Sequence, residues 1–317
     1  MERVIFWLGN SRLFSLPMTV MSWVVVFIYS LKHDGNIFNG ILALIGIAFA
    51  HLATNLFDDY VDYRTLSKNK AFMENTVKTK CAYIKNGQAT LAELLKVIVI
   101  YCSIASLIGL ILTLRCGAEV IFLALIGGLI TLSYAKLSSH GFSELAVGTA
   151  FGPLLFEGVY FVMCKEFSLK VFVLSIAVVV FTIGLLYVHT LLDYDADIPA
   201  GKKTLCIRLG SKDNAVKGLY FLYGLGYLMC VILAIFESYI YILPILTLPF
   251  AILLGKSVSE YYINTTSTVK IHWWNYPLEG WDKIKAEGTE NFYLRLYMAR
   301  NLMVWFTSLV IFAVIMK

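Results

Sequence analysis

The chain has 317 residues, of which 59% are hydrophobic and only 15% are charged. Soluble domains carry roughly a quarter charged residues, so this composition excludes an ordinary water-soluble fold and requires lipid to cover the apolar surface. The formal net charge of +5 is attributed to membrane topology and to an anionic lipid or ligand, and not to nucleic acid binding.

Apolar runs of membrane-spanning length follow one another along the sequence. Backbone groups in lipid must pair within their own segment, so each run is predicted to be a helix. A β-barrel would need alternating strands of about ten residues, which the sequence lacks. We predict an all-α polytopic bundle of nine transmembrane helices that forms one domain over residues 1–317. The predicted helices cover residues 14–31, 38–57, 92–114, 118–135, 143–164, 170–192, 215–236, 239–262 and 298–316.

Three long polar connections, at about 58–91, 193–214 and 263–297, separate these helices. If the N-terminus lies inside, all three connections fall on the inner side of the membrane. Most of the 26 Lys and Arg residues then lie on that side too, which follows the positive-inside rule. We therefore expect a multi-pass protein of a bacterial cell membrane with these loops in the cytoplasm. The cations on the opposite side are Lys32, Arg115, Lys165, Lys170 and Lys317.

A cluster of polar residues lies where the second predicted helix ends. His51, Asn55, Asp58, Asp59 and Asp62 are spaced by three or four, so they share one helical face. Three carboxylates on one face repel each other unless a cation sits among them. Oxygen ligands of this kind suit Mg²⁺, which keeps waters and bridges to substrate phosphates. Lysines follow in the next loop, among them Lys70, Lys78 and Lys80.

A second cluster lies at the end of the sixth predicted helix. His189, Asp193 and Asp197 repeat every four residues, and Lys202 and Lys203 follow. Acids that hold a metal, next to cations that hold phosphate oxygens, together make a diphosphate cradle. We predict that the two acidic helix ends meet across a central cavity that opens near the cytoplasmic face.

Such a cradle suits the ionisation of an allylic diphosphate. Magnesium would stabilise the departing diphosphate as a Lewis acid, and Lys and Arg would add preorganised positive charge. The apolar interior of the bundle would keep the allylic cation away from water. The sequence therefore predicts transfer of a prenyl chain from a magnesium-bound diphosphate to an acceptor.

The two clusters resemble the motifs of the UbiA superfamily of intramembrane prenyltransferases. The first motif reads Asn55-Leu-Phe-Asp58-Asp59-Tyr-Val-Asp62, and the second reads Asp193-Tyr-Asp195-Ala-Asp197. The helix count extends the resemblance over most of the chain. Within the superfamily, the register of the first motif and the stretches 200–210 and 141–144 are most similar to the 1,4-dihydroxy-2-naphthoate polyprenyltransferases of menaquinone biosynthesis.

This resemblance implies roles for individual residues, with Asp59 and Asp193 essential for catalysis. It assigns metal binding to Asp58, Asp59, Asp62, Asp193 and Asp197. It assigns diphosphate binding to Asn55, Lys202 and Lys203, with Lys70, Lys78 and Lys80 as further candidates. Either Glu144 or one of the metal-site aspartates could be the base that an acceptor phenol needs, and glutamates at helix starts also favour the helix dipole. Candidates for lining the cavity or contacting the acceptor are His51, His189 and Tyr134.

The acceptor stays open at this point. His189 and Thr190 stand where the subfamily usually has asparagines, Ile198 replaces an arginine, and residues 264–297 have no counterpart. One alternative keeps the donor and changes the acceptor to another quinone precursor, a haem or a glycerol phosphate lipid. Another is a cation transporter, which would place its acids near the bilayer midplane, whereas these acids lie at helix ends.

Overall fold

The computed structural model describes residues 2–67, 81–199 and 203–317, and within these ranges it contains helices and no strands. Nine helical spans in the same ranges are long and apolar enough to cross a membrane, which confirms the prediction. The protein is an all-α integral membrane protein. A short helix, α1, precedes the spans α2 to α10. The bounds are α1 Glu2–Asn10, α2 Leu16–Leu31, α3 Ile37–Leu66, α4 Leu91–Cys116, α5 Glu119–Ser139, α6 Ser143–Cys164, α7 Leu169–Leu192, α8 Lys212–Phe236, α9 Tyr239–Ile263 and α10 Glu290–Met316.

Two helices extend further into polar sequence than their composition predicts. Helix α3 continues to Leu66 and α10 begins at Glu290, so the connections predicted at about 58–91 and 263–297 are shorter than expected. A helix satisfies its own backbone hydrogen bonds whatever its side chains are, so it need not end where the apolar sequence ends. The first acidic cluster consequently lies on a helix and not in a loop.

Side-chain caps fix where two of the spans begin. Asn36 accepts a hydrogen bond from the backbone N–H of Asn39 at 3.0 Å at the start of α3. Thr90 and Glu93 form a capping box at the start of α4, in which each side chain accepts from the other's backbone N–H. These bonds satisfy N–H groups that the first helical turn leaves without partners.

The centre of the bundle is built around α7, whose side chains are mostly buried. Phe181 of α7 stacks on Phe306 of α10 with ring centroids 3.6 Å apart, and the ring of Tyr223 from α8 lies 5.0 Å from that of Phe181. Gly226 lets α8 approach α7 closely, because a Cβ there would collide with Val180 and Phe181. Small residues and aromatic contacts of this kind hold helices together in lipid.

The fifth span, α6, changes helix type in its middle. Residues Ala150–Leu154 form a π turn, in which Gly152 leaves the helical φ/ψ region and Pro153 follows. Proline has no N–H to donate to the preceding turn, and a π turn carries one extra residue. A Cβ at Gly152 would collide with Val179 of α7, so a glycine is needed for the two helices to approach here.

The connection between α9 and α10 folds back along the two spans that it joins. Trp274 stacks on Phe250 of α9 with ring centroids 4.5 Å apart, and Trp273 lies edge-on to Trp305 of α10 at 5.5 Å. Phe250 precedes the end of α9 by about 13 residues, which corresponds to about 20 Å along a helix. We call residues 264–289 the re-entrant segment.

Side chains of α10 donate hydrogen bonds to backbone carbonyl oxygens of the re-entrant segment. Asn301 donates to the carbonyl oxygens of Trp274 and Tyr276 at 3.0 and 3.1 Å, and Arg300 donates to the carbonyl of Pro277. Irregular backbone is tolerated at membrane depth only where protein groups pair with it. These bonds therefore explain how the irregular backbone around residues 274–277 can lie alongside membrane spans.

Candidate active site

The first acidic cluster occupies the last turns of α3. Asp58 and Asp59 are buried, with 5% and 1% of their surface exposed, whereas Asn55 and Asp62 are partly exposed. An ionised carboxylate that is removed from water requires a nearby cation or hydrogen-bond donors. The structure supplies both from parts of the chain that sequence reasoning did not select.

Arg12 lies against both buried carboxylates. Its Nη2 donates to Asp59 Oδ1, and its Nη1 is 3.5 Å from Asp58 Oδ2. Burial alone would lower the pKa of Arg12, but the charges of Asp59 and Asp58 outweigh it and raise that pKa above its ordinary value. The backbone of Arg12 is left-handed, with φ 60° and ψ 50°, which is uncommon for a residue with a Cβ. It forms the elbow, residues 11–15, that joins α1 to α2.

Polar side chains of α3 hold this elbow. Asn55 Nδ2 donates to the carbonyl of Ser11 at 3.0 Å and to Ser15 Oγ at 3.2 Å. His51 Nε2 is 3.1 Å from Ser15 Oγ, and its Nδ1 is 2.7 Å from Thr19 Oγ1. His51 and Asn55, both selected from the sequence, therefore bond to the N-terminal part of the chain.

A second donor reaches the first cluster from the segment before α4. The hydroxyl of Tyr83 donates to Asp59 Oδ2 at 3.2 Å, and Trp7 of α1 packs edge-on to the Tyr83 ring at 6.0 Å. Burial, followed by the charge of Asp59, raises the pKa of Tyr83, so its hydroxyl stays a neutral donor. No motif marks Arg12 or Tyr83 in the sequence; the signal that could have found Arg12 is a lone cation just before the first span.

The second acidic cluster lies at the end of α7 and in the helical turn that follows. His189 Nδ1 is 3.2 Å from Asp193 Oδ2, so the pair expected from the four-residue spacing forms. Asp197 is buried, with 3% of its surface exposed. Asp195 points to a different side and pairs with Lys212 at 2.6 Å. Helical periodicity thus separates Asp195 from its two neighbours in the motif.

Glu144 begins α6 and is buried, with 4% of its surface exposed. Its Oε2 accepts a hydrogen bond from Ser143 Oγ at 2.8 Å, whereas its Oε1 has no hydrogen-bond partner among the residues that the structure describes. A buried polar atom without a partner is costly and calls for an explanation, such as a ligand or a proton that arrives during function.

The connection that precedes α6 packs against the chain that follows the second cluster. Gly141 has φ +76°, and a Cβ there would collide with the carbonyl oxygen of Lys203. The guanidinium of Arg208 lies over the ring of Phe142 at 4.5 Å. The side chain of Lys203 is exposed. This contact holds the backbone at Lys203 close to the start of α6.

The remaining predicted residues divide into two groups. Tyr134 of α5 lies close enough to Arg12 to interact with it electrostatically, which puts it beside the first cluster. Four of the predicted phosphate-binding lysines lie outside the described residues, namely Lys70, Lys78, Lys80 and Lys202.

The π turn of α6 touches both helices that carry acidic motifs. The ring of Phe151 lies edge-on to His51 of α3, with centroids 5.0 Å apart, and Gly152 packs on Val179 of α7. Helices α3 and α7 are the second and the sixth of the nine spans in the described ranges, an even number of crossings apart. One bent helix therefore joins the two motif helices.

The first cluster fits a magnesium ion that is bound together with phosphate. Among the described residues, no three His, Cys, Asp or Glu side chains are arranged to hold a metal by themselves. Mg²⁺ does not need such a cage, because it keeps several waters and binds through one or two carboxylates plus substrate phosphates. The buried pair Asp58 and Asp59 offers oxygen ligands of this kind and already attracts a cationic side chain.

A curated relative shares sequence with part of this chain. The 2-carboxy-1,4-naphthoquinone phytyltransferase of Synechocystis sp. is 29% identical over 152 residues. The match covers 44% of this chain and 48% of the relative, so the chain spans about half the length of this relative.

Solved structures share the fold. A digeranylgeranylglyceryl phosphate synthase matches over 100% of both chains, with a TM-score of 0.63 at 16% identity. The apo structure of a UbiA homologue from Aeropyrum pernix covers 92% of this chain and 97% of its own, with a TM-score of 0.57 at 15% identity. A UbiA homologue from Archaeoglobus fulgidus bound to GPP and Mg²⁺ covers 96% and 99%, with a TM-score of 0.55 at 12% identity.

A protein family matches a longer part of this sequence than the curated relative does. Residues 13–275 match the UbiA prenyltransferase family, and this range contains both acidic clusters. It also covers most of the chain and eight of the nine spans that the described ranges contain. With its all-α fold and its two acidic helix ends, the chain belongs to the UbiA prenyltransferase family.

Proposed function

We propose that this prenyltransferase transfers a polyprenyl group from an allylic diphosphate to an aromatic acceptor, 1,4-dihydroxy-2-naphthoate, in menaquinone biosynthesis. The buried Asp58–Asp59 pair carries the donor half of the proposal, because it offers carboxylate oxygens without a closed metal cage. The naphthoquinone carboxylate in the name of the Synechocystis relative supports the acceptor half. The acceptor would lose its carboxylate as its ring is alkylated.

Magnesium ions would hold the diphosphate and stabilise the charge that develops on it as it departs. Asp58, Asp59 and Asp62 of α3 would bind one side of this assembly, and Asp193 and Asp197 of α7 would bind the other. Helices fix the spacing within each set before the donor arrives, so little reorganisation is needed at the moment of reaction. The GPP and Mg²⁺ bound to the Archaeoglobus homologue support a prenyl diphosphate held with magnesium as the donor.

Ammonium groups would hold the remaining phosphate oxygens, and Asn55 would act on the metal instead. Asn55 would contribute its carbonyl oxygen to the metal side, because its amide N–H groups already bond to the elbow. The proposed phosphate contacts are Lys70, Lys78, Lys80, Lys202 and Lys203.

The acceptor would lie deeper than the diphosphate, where water is excluded from the allylic cation. When the carboxylate leaves as CO₂, the electron pair of its bond returns to the ring oxygen, which then takes a proton back. Before that, as the ring carbon bonds to the allylic carbon, the phenolic proton has to leave. Glu144 would accept it, since its Oε1 is buried and has no hydrogen-bond partner among the described residues. His51, His189 and Tyr134 would line this part of the cavity.

The isoprenoid tail would extend between the helices and into lipid. Membrane lipid is thus the third proposed partner of this protein, besides the donor and the acceptor. The concentration of Lys and Arg in the loops at the acidic end supports a cytoplasmic location for the site. A different acceptor, a glycerol phosphate lipid, is the second candidate. It is favoured by the likeness in fold to the digeranylgeranylglyceryl phosphate synthase over the full length of both chains.

The test is a transfer assay with purified protein, Mg²⁺ and radiolabelled farnesyl or geranylgeranyl diphosphate. The acceptors are 1,4-dihydroxy-2-naphthoate, 4-hydroxybenzoate and a glycerol phosphate lipid, and products are identified by mass. We expect decarboxylated naphthoate product, its loss in EDTA and its return with Mg²⁺. Product from the glycerol phosphate lipid alone would replace the proposed acceptor by the second candidate.

Variants test the site in the same assay. Asp59→Asn and Asp193→Asn should lower turnover at least about a thousandfold, because each removes a charge that neutralises the leaving group. The matched control is Asp213→Asn, since Asp213 is exposed and pairs with Lys217 of the same helix at 2.6 Å. Near-normal turnover in Asp59→Asn would reject the assignment.

A further inference from the structure

Arg12 engages the same oxygens that a metal ion would use. Its guanidinium contacts Asp59 Oδ1 and lies 3.5 Å from Asp58 Oδ2, while Tyr83 donates to Asp59 Oδ2 at 3.2 Å. Both oxygens of the buried Asp59 thus interact with protein donors. The Arg12 side chain is 27% exposed, so it has room to move on its outer side.

We propose that Arg12 is the resident counter-cation of the Asp58–Asp59 pair in the donor-free enzyme. A divalent cation has to replace Arg12 at these two carboxylates before they can hold the donor diphosphate. This inference rests on the proposed function for the identity of the donor. A guanidinium and a divalent ion repel each other at one carboxylate pair. Arg12 therefore keeps the donor-free enzyme weak in metal binding, and the negative charge of the diphosphate brings the metal in.

The elbow that carries Arg12 is held by the helix that carries the acids. Ser15 Oγ donates to the Arg12 carbonyl at 2.7 Å, so its oxygen accepts from Asn55 at 3.2 Å. The same oxygen accepts from His51 Nε2–H, which leaves His51 Nδ1 to accept from Thr19. This tautomer follows from the hydrogen-bond network.

The network explains how a strained backbone persists at this position. A left-handed non-glycine residue costs roughly 1 kcal/mol and survives only where its surroundings over-determine it. Ser15, His51 and Asn55 provide that constraint, because all three bond within the elbow. They are positioning residues for Arg12, a role that motif similarity alone does not give to His51 or Asn55.

The experiment measures metal binding in the absence of donor and is independent of turnover. Purified protein is titrated with Mn²⁺, and the free ion is followed by electron paramagnetic resonance. Arg12→Gln should bind Mn²⁺ at least about tenfold more tightly than the unaltered protein. Even with the screening of water, the repulsion between a unit cation and a divalent ion about 4 Å apart weakens metal binding by more than tenfold.

Controls separate this effect from a general change of charge or fold. Arg3→Gln removes an arginine of α1 that pairs with Glu93 at 3.3 Å and not with Asp58 or Asp59. The Mn²⁺ affinity of this variant should stay within about twofold of that of the unaltered protein. Arg12→Lys keeps the charge and should restore weak binding. If Arg12→Gln does not fold, Ser15→Ala decides, since a loosened elbow should tighten Mn²⁺ binding in the same direction.

Unchanged or weaker Mn²⁺ binding in Arg12→Gln, or in Ser15→Ala where that variant decides, would overturn the inference. The proposed function fails separately. Tighter Mn²⁺ binding without transfer to any acceptor would support the counter-cation and reject the enzyme assignment. Prenyl transfer by the unaltered protein, with the same Mn²⁺ affinity in all variants, would support the enzyme assignment and reject the counter-cation.

Discussion

Replacing Asn301 by leucine is expected to release the re-entrant segment from α10. Asn301 is 4% exposed, and its Nδ2 donates to the carbonyls of Trp274 and Tyr276 at 3.0 and 3.1 Å. Leucine has a similar volume and no donor. The buried carbonyl of Trp274 costs about 1–3 kcal/mol when it loses its donor, and that of the exposed Tyr276 costs less than about 1 kcal/mol, so the free energy of unfolding should fall by about 1–4 kcal/mol.

Three measurements in detergent micelles check this expectation. Chemical unfolding gives the change in free energy, and hydrogen exchange reports on the amides of residues 273–276. Tryptophan emission should also shift to longer wavelength, because Trp274 is 2% exposed only while the segment is docked. Exchange should speed up in the segment and stay unchanged in α7, since α7 packs around its own aromatic contacts.

A matched asparagine provides the control. Asn214 also donates to a carbonyl, that of Leu209 at 3.0 Å, but it is exposed, so water can replace the lost bond. Asn214→Leu should therefore cost less than about 1 kcal/mol. If Asn301→Leu were no less stable than Asn214→Leu, with the amides of residues 273–276 equally protected from exchange, these bonds would not be what docks the segment.

Three further predictions concern the two clusters. Gly141→Ala should lower turnover at least about tenfold, because φ +76° strains a side chain and its Cβ collides with the Lys203 carbonyl; unchanged kcat/KM would contradict this. Tyr83→Phe should lower the free energy of unfolding by about 1–3 kcal/mol by removing the donor to buried Asp59, and an unaltered unfolding midpoint would refute it. Asp195→Asn should keep turnover within about threefold, because this carboxylate is 66% exposed and faces away from the site; loss as complete as in Asp193→Asn would place it at the metal.

Composition and periodicity were enough to predict the architecture. Long apolar runs predict membrane helices because lipid offers no partner to the backbone, and the spans that the described residues contain confirm them. The three- and four-residue spacing also predicted which acids share a face, as the His189–Asp193 pair and the separate direction of Asp195 show. These features depend on residues close together in sequence, where helix geometry alone sets the outcome.

The counter-charge of the first cluster was not predictable in this way. Arg12 is about 47 residues from Asp59, and its approach depends on a left-handed elbow that no local motif announces. Tyr83 reaches the same carboxylate from a segment between two spans. The ends of α3 and α10 were missed for a different reason, since hydropathy reports the lipid boundary and a helix can continue beyond it.

The π turn of α6 sets the angle between the two halves of that span. Each residue in a helix turns its successors by about 100° and raises them by about 1.5 Å. Deleting one residue from 150–154 would regularise the helix, yet it would swing Glu144 by that angle relative to the buried face near Phe156. The length of this turn is thus an alignment device, and insertions or deletions there should be far less tolerated than substitutions.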